Sequence, residues 1–158
     1  MKEIIGIADA SDKNIVIITS NYNSDIVAML FDGAIDAFCH FSGNLSNITK
    51  IEVPGAFEIP GTIHQVIKHI KADAILSLGA VIKGGTPHFD YVAGETSGGI
   101  SRLSQSNDIP IIFGILTTND FNEALERAST KAGNKGWELM ETTLQTISIY
   151  NQIEKNKK

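Results

Sequence analysis

Four short apolar runs, IVIIT (15–19), ITKIEV (48–53), AILSLGAVI (74–82) and PIIFGILT (110–117), recur at spacings of about thirty residues. They are rich in Ile and Val and show little alternation, as expected of parallel strands covered on both faces. Pro110 opens its run, where a missing N–H is tolerated. The segments between are helix-length, with apolar residues three and four apart. Ile26, Leu30, Ala34, Ile35 and Phe38 make one stripe. Ile59, Ile63, Val66, Ile67 and Ile70 make a second, and Ala124, Leu125 and Ala128 a third. Ser24 with Asp25, and Asn119 with Asp120, are start signals for the first and third. Residues 137–153 read as a long terminal helix, followed by the charged tail 154–158. Strands alternating with helices predict βαβ units with right-handed crossovers. The expected fold is α/β and flavodoxin-like: a three-layer αβα arrangement around a four-stranded parallel sheet, in one domain over residues 1–158. Residues 4–8 read as a short extra strand with no place in that sheet.

Composition narrows the partners. A chain of 158 residues can bury a core without disulfides or metals, and the single cysteine, Cys39, excludes an internal disulfide framework. A net charge of −5 disfavours nucleic acid. The opening MKEIIGIADASDKN is broken by Asp9, Asp12 and Lys13, so no signal peptide is expected. No apolar run approaches the roughly 18 residues of a membrane span, so the expected setting is the cytoplasm.

In open parallel sheets, ligands bind beyond the carboxyl ends of the strands. KGGTPHFDYVAGE (83–95) follows the third run there and is the most informative stretch. Gly84 and Gly85 let the backbone turn and approach a ligand, and Thr86 offers a hydroxyl and an N–H. A helix starting near Pro87 or His88 aims its free N–H groups and positive end at the same place, which describes an anion site, above all for phosphate. A Gly-Gly turn by itself is only a turn; the Thr-Pro-His that follows carries the anion reading. His88 is the side chain best able to exchange protons near neutral pH. His64 and His69 read as surface residues, His40 beside Cys39 as a helix-end pair, and no metal-ligand spacing is present. Glu58 in VPGAFE either favours a helix N-terminus electrostatically or presents a carboxylate to a ligand. Tyr22, between two asparagines, either packs on the domain or offers a platform to a planar ring. Arg127, Lys131 and Lys135 put three cations into nine residues, read as a solvated helix end or as an anion contact. Gly133-Asn134-Lys135-Gly136 breaks a helix and restarts it.

VPGAFEIP, GAVIKGGTPHFDYVAGE, IPIIFGILTT and ERASTKAGNKGWE, in this order and spacing, resemble the 6,7-dimethyl-8-ribityllumazine synthase family from about residue 15 to residue 149. The resemblance implies condensation of 5-amino-6-(D-ribitylamino)uracil with 3,4-dihydroxy-2-butanone 4-phosphate, the penultimate step of riboflavin biosynthesis, with no cofactor and no metal. It implies that Tyr22 stacks on the pyrimidine, that Ala56, Phe57 and Glu58 hold that substrate, and that backbone groups of Ala80, Val81 and Ile82 face the uracil edge. Gly85 and Thr86 hold the phosphate, Arg127 completes that site, and His88 shuttles protons. Phe113 lines the pocket and Lys135 reaches the pyrimidine. Phe113, Arg127 and Lys135 are implied to come from a neighbouring subunit of a pentamer. Residues 4–8 are implied to add to the next subunit's sheet, and the short link 129–136 to suit an icosahedral shell of pentamers. Riboflavin synthase is the further partner implied. The sequence departs from the family at Asn21-Tyr22-Asn23, where Arg-Phe-Asn or Arg-Trp-Asn is usual, at Lys83 for arginine and at Ser129 for glycine. Two alternatives are an archaeal-type riboflavin synthase and a non-catalytic flavin- or lumazine-binding shell protein. The phosphate loop opposes the first, and the joint presence of His88 and Arg127 opposes the second.

Overall fold

The computed structural model describes residues 1–129 and 133–156. Thr130, Lys131 and Ala132, within the 129–136 link, and the tail residues Lys157 and Lys158 lie outside the described residues. The apolar runs form β1 (Ile15–Ser20), β2 (Ile48–Val53), β3 (Ala74–Ile82) and β4 (Ile111–Thr118). All three pairings are parallel, in the order β2-β1-β3-β4. The helices are α1 (Ser24–His40), α2 (Ile59–His69), α3 (His88–Gln105), α4 (Phe121–Ala128) and α5 (Lys135–Lys155).

The lack of alternation in β1 has the expected cause. Ile15 and Ile17 enter an apolar layer with α1, α4 and α5, while Val16 and Ile18 enter another with α2 and α3. Every residue of β1 is buried. The sheet is therefore the middle of three layers, and its strand ends carry all the loops that face a ligand.

Helix starts differ in detail from the sequence expectation. Asp120 caps α4 as expected, its carboxylate accepting from the Glu123 N–H at 2.9 Å. Ser24 is the first residue of α1, and the cap is Asn23, in the left-handed conformation at φ 59°. Pro87 is likewise the cap of α3 and His88 its first residue. The terminal helix starts earlier than its apolar pattern, because Asn134 caps it by accepting from the Trp137 N–H at 3.2 Å.

The Gly-Asn-Lys-Gly break does more than restart a helix. The Asn134 amide donates to the Met29 and Ala128 carbonyls at 2.9 and 3.0 Å, tying α1, α4 and α5 together. It occupies the space a side chain at Gly33 would need, and Gly136 rests against the Leu30 carbonyl with no room for a Cβ. Asn134→Ala removes a cap and two donors to part-buried carbonyls, so it should destabilise by about 2 kcal/mol. Urea unfolding measures this, and an unchanged midpoint would remove Asn134 as the clasp.

Residues 4–8 are not a strand within the chain. A strand needs a ladder partner, and the sheet ends at β2 and β4 without reaching them. The segment runs along α5 instead. Gly6 lies so close that a Cβ there would be 2.6 Å from the Gln145 carbonyl oxygen. Gln152 Nε2 donates to the Ile5 carbonyl at 2.8 Å, and Lys2 Nζ to Asn156 Oδ1 at 2.7 Å. No helix among the described residues is long and apolar enough to cross a membrane.

Candidate active site

In a doubly wound sheet the ligand crevice lies where the winding reverses. For the order β2-β1-β3-β4 that is the junction of β1 and β3. The β1–β3 ladder stops with Thr19 opposite Leu78, whereas β3 and β4 stay paired as far as Ile82 opposite Thr118. Ala80, Val81 and Ile82 thus continue past the end of β1 and form one wall of a cavity of about 210 Å³. The cavity brings together six residues expected from the sequence: Tyr22, Ala80, Val81, Ile82, Thr86 and His88. Asn23, Gly84, Phe89 and Val92 complete it. Val92 was open to discovery, since it stands four residues after His88 and so shares its helix face. Gly84 lines the cavity, whereas Gly85, the glycine expected at the phosphate, is adjacent to it and outside the lining.

The loop carrying Tyr22 lacks the arginine usual in the family it resembles, yet it is held on both sides. The Asn21 N–H donates to the Val53 carbonyl at 2.8 Å, and the Tyr22 N–H to the Pro54 carbonyl at 3.1 Å. On the other side the Asn23 amide donates to the Ala80 carbonyl at 2.8 Å. Tyr22 itself is 74 % exposed, an aromatic face with little of its own chain to pack on. Leaving that much ring in water is unfavourable unless a partner covers it.

Opposite Tyr22, α3 begins at His88 with no side chain capping its N-terminus. The His88 and Phe89 N–H groups and the positive helix end therefore remain available to an anion, while the Asp90 N–H is taken by the Pro87 carbonyl at 3.1 Å. Thr86 and His88 are both exposed beside it. One wall thus offers a planar stacking surface and a strand end with backbone donors and acceptors. The other offers an anion site and an imidazole.

Ala56, Phe57 and Glu58 form a single 3₁₀ turn between β2 and α2, outside the lining of this cavity. Ala56 is buried, while Phe57 and Glu58 are exposed. The turn adjoins the Tyr22 side through Val53 and Pro54. Gly55 leaves room for the Glu58 carboxylate, which would lie 3.1 Å from any Cβ there.

Arg127 and Lys135 are brought together elsewhere, in a depression of about 410 Å³ shared with Glu126, Gly133 and Glu138. Arg127 Nη1 donates to the Glu123 carbonyl at 3.0 Å, and Lys135 Nζ pairs with the Glu138 carboxylate at 2.6 Å. That pair is exposed and holds Lys135 only weakly. Phe113 stands on the edge strand β4 and is 41 % exposed. A single chain therefore presents these residues in two separate depressions. His40 closes α1, as expected of a helix end, but its ring partners are Phe41, edge-on at 5.0 Å, and Trp137 at 5.2 Å, which join the end of α1 to the start of α5.

A family model described as 6,7-dimethyl-8-ribityllumazine synthase matches residues 12–151. Curated relatives bearing that name include proteins of Campylobacter jejuni subsp. doylei, 45% identical over 90% of this chain and 93% of the relative, and Nautilia profundicola, 47% identical over 90% and 92%. A third, from Sulfurimonas denitrificans, is 43% identical over 89% of this chain and 92% of its own length. The match spans the sheet and both depressions, and with it the chain belongs to the 6,7-dimethyl-8-ribityllumazine synthase family.

Proposed function

We propose that this protein is a transferase that condenses 5-amino-6-(D-ribitylamino)uracil with 3,4-dihydroxy-2-butanone 4-phosphate to form 6,7-dimethyl-8-ribityllumazine. The observation that carries the reading is the cavity joining Tyr22 and the end of β3 to Thr86 and His88 at the uncapped start of α3. The pyrimidine stacks on Tyr22, with its edge along Ala80, Val81 and Ile82. Its ribityl chain extends toward Phe57 and Glu58. The phosphate of the ketone sits at Gly84, Gly85, Thr86 and the first N–H groups of α3, which leaves His88 beside the reacting carbons.

The amine attacks the ketone and one water leaves, giving an imine. Loss of phosphate follows, with a proton taken from carbon. The resulting enol tautomerises to a ketone, the ribityl-bearing nitrogen closes the ring, and a second water leaves. His88 serves these proton transfers. Much of the rate comes from holding the two substrates in contact, a proximity effect.

Arg127, Lys135 and Phe113 complete the site from a neighbouring subunit. Their separation from the cavity within one chain supports this, because among the described residues no lysine or arginine lines the cavity that holds Thr86 and His88. The assembly is a pentamer, and the short 129–136 link favours icosahedral shells of pentamers. The exposed Ile5 and Ile7 are the natural contact of the N-terminal segment with the next subunit. The cytoplasm is the setting, riboflavin synthase the associated enzyme, and nucleic acid is disfavoured by the net charge of −5. The family membership does not favour an archaeal-type riboflavin synthase or a non-catalytic shell.

The test combines the purified protein with both substrates and follows inorganic phosphate and lumazine together. Equal release of the two is expected, and neither without both substrates. Mass photometry of the same sample should show species in multiples of a pentamer. Pentamers alone would remove the shell, and a monomer that turns over would remove the shared site.

A further inference from the structure

We propose that Asn23 is a positioning residue of the reaction, setting the distance between the stacking face of Tyr22 and the uracil-reading end of β3. The inference rests on the reading of the cavity given above. An asparagine at a helix cap ordinarily turns its side-chain oxygen onto the first-turn N–H groups. Asn23 does not: it caps α1 with its backbone carbonyl alone, which accepts from the Ile26 and Val27 N–H groups at 3.1 Å. Its side chain is spent elsewhere, on the Ala80 carbonyl at 2.8 Å.

That bond spans the crevice at the place where the sheet stops doing so. In a parallel sheet, alternate residues of a strand direct their backbone groups to the same neighbour. Leu78 is the last β3 residue in register with β1, so the Asn23 amide replaces the backbone donor that a longer β1 would have supplied to Ala80. The next β3 residue on that side is Ile82, whose groups reach the cavity with nothing of β1 left beside them. Tyr22 precedes Asn23 directly, so the tether fixes the aromatic ring relative to the strand end that the pyrimidine edge must meet.

The left-handed backbone at φ 59° explains the residue type. Only glycine and asparagine or aspartate adopt that conformation at low cost, and of these only asparagine also carries a donor. Glycine would therefore serve the backbone as well or better while cutting the tether.

The two roles then predict opposite results for Asn23→Gly. Either way the variant loses the bond to the Ala80 carbonyl and melts slightly lower. If Asn23 only shapes the chain, activity is that of wild type; if it positions Tyr22, kcat/KM for the pyrimidine falls by about tenfold, and KM for the phosphorylated ketone stays within about twofold. Asn23→Asp keeps the shape and the left-handed preference but sets an acceptor against the Ala80 carbonyl, so it should fall at least as far. Steady-state kinetics in each substrate, with thermal melting of the same samples, reads all of this. Wild-type kcat/KM for the pyrimidine in either variant, or an equal loss for both substrates, overturns the proposal while the function stands. A wild-type protein that releases no phosphate with both substrates overturns the function first, and this inference with it.

Discussion

His88→Ala is expected to lower kcat by about 10- to 1000-fold while leaving KM for both substrates nearly unchanged. The side chain is exposed at the first residue of α3, so its loss removes little packing and the fold should be unaffected. Binding rests on other groups: the aromatic face of Tyr22, the end of β3, and the N–H groups at the start of α3, which are backbone and survive the substitution. What disappears is a proton carrier beside the carbons that lose phosphate and tautomerise. Water can substitute for it, which limits the loss to that range instead of abolishing turnover. Single-turnover measurements at saturating substrate would isolate the chemical steps. An unchanged kcat would remove His88 from the mechanism, and a rise in KM alone would make it a binding group.

Much of this arrangement was legible in the sequence because it is local. The runs ITKIEV and AILSLGAVI match β2 and β3 end for end, but only β3, buried from Ala74 to Ala80, is covered on both faces; the edge strand β2 is exposed or half-buried everywhere except Val53. The turn after β3 and the start of α3 were legible because glycines, a threonine and a proline act within a few residues of one another. What escaped depends on partners distant in sequence. Residues 4–8 have strand composition, but composition does not supply a neighbour, and within one chain they run along α5. Asn23 looked like a flank of Tyr22 because its bond goes to Ala80, 57 positions away. Asn134 looked like part of a helix break because its partners include Met29, 105 positions away. The clustering of Arg127 and Lys135 was legible, but its separation from His88 within one chain was not.

That separation leads to the second large effect expected. Arg127→Ala should raise KM for the phosphorylated ketone by about 30- to 150-fold, the worth of a charge-assisted contact of about 2–3 kcal/mol. KM for the pyrimidine, which carries no phosphate, should move by no more than about twofold. At limiting ketone, Arg127→Ala and His88→Ala are then both nearly inactive. Refolded together in equal amounts, they distinguish the two geometries. If each site takes His88 from one subunit and Arg127 from the next in a closed head-to-tail ring, about one site in four receives both intact residues, and activity returns to about a quarter of wild type. If both residues come from the same chain, no mixed oligomer contains an intact site, and activity stays at the level of the separate variants. Recovery near a quarter would establish that the two depressions of the single chain are halves of one site. No recovery, in mixed oligomers verified by differential tagging, would put His88 and Arg127 of one chain in the same site and overturn the shared-subunit reading.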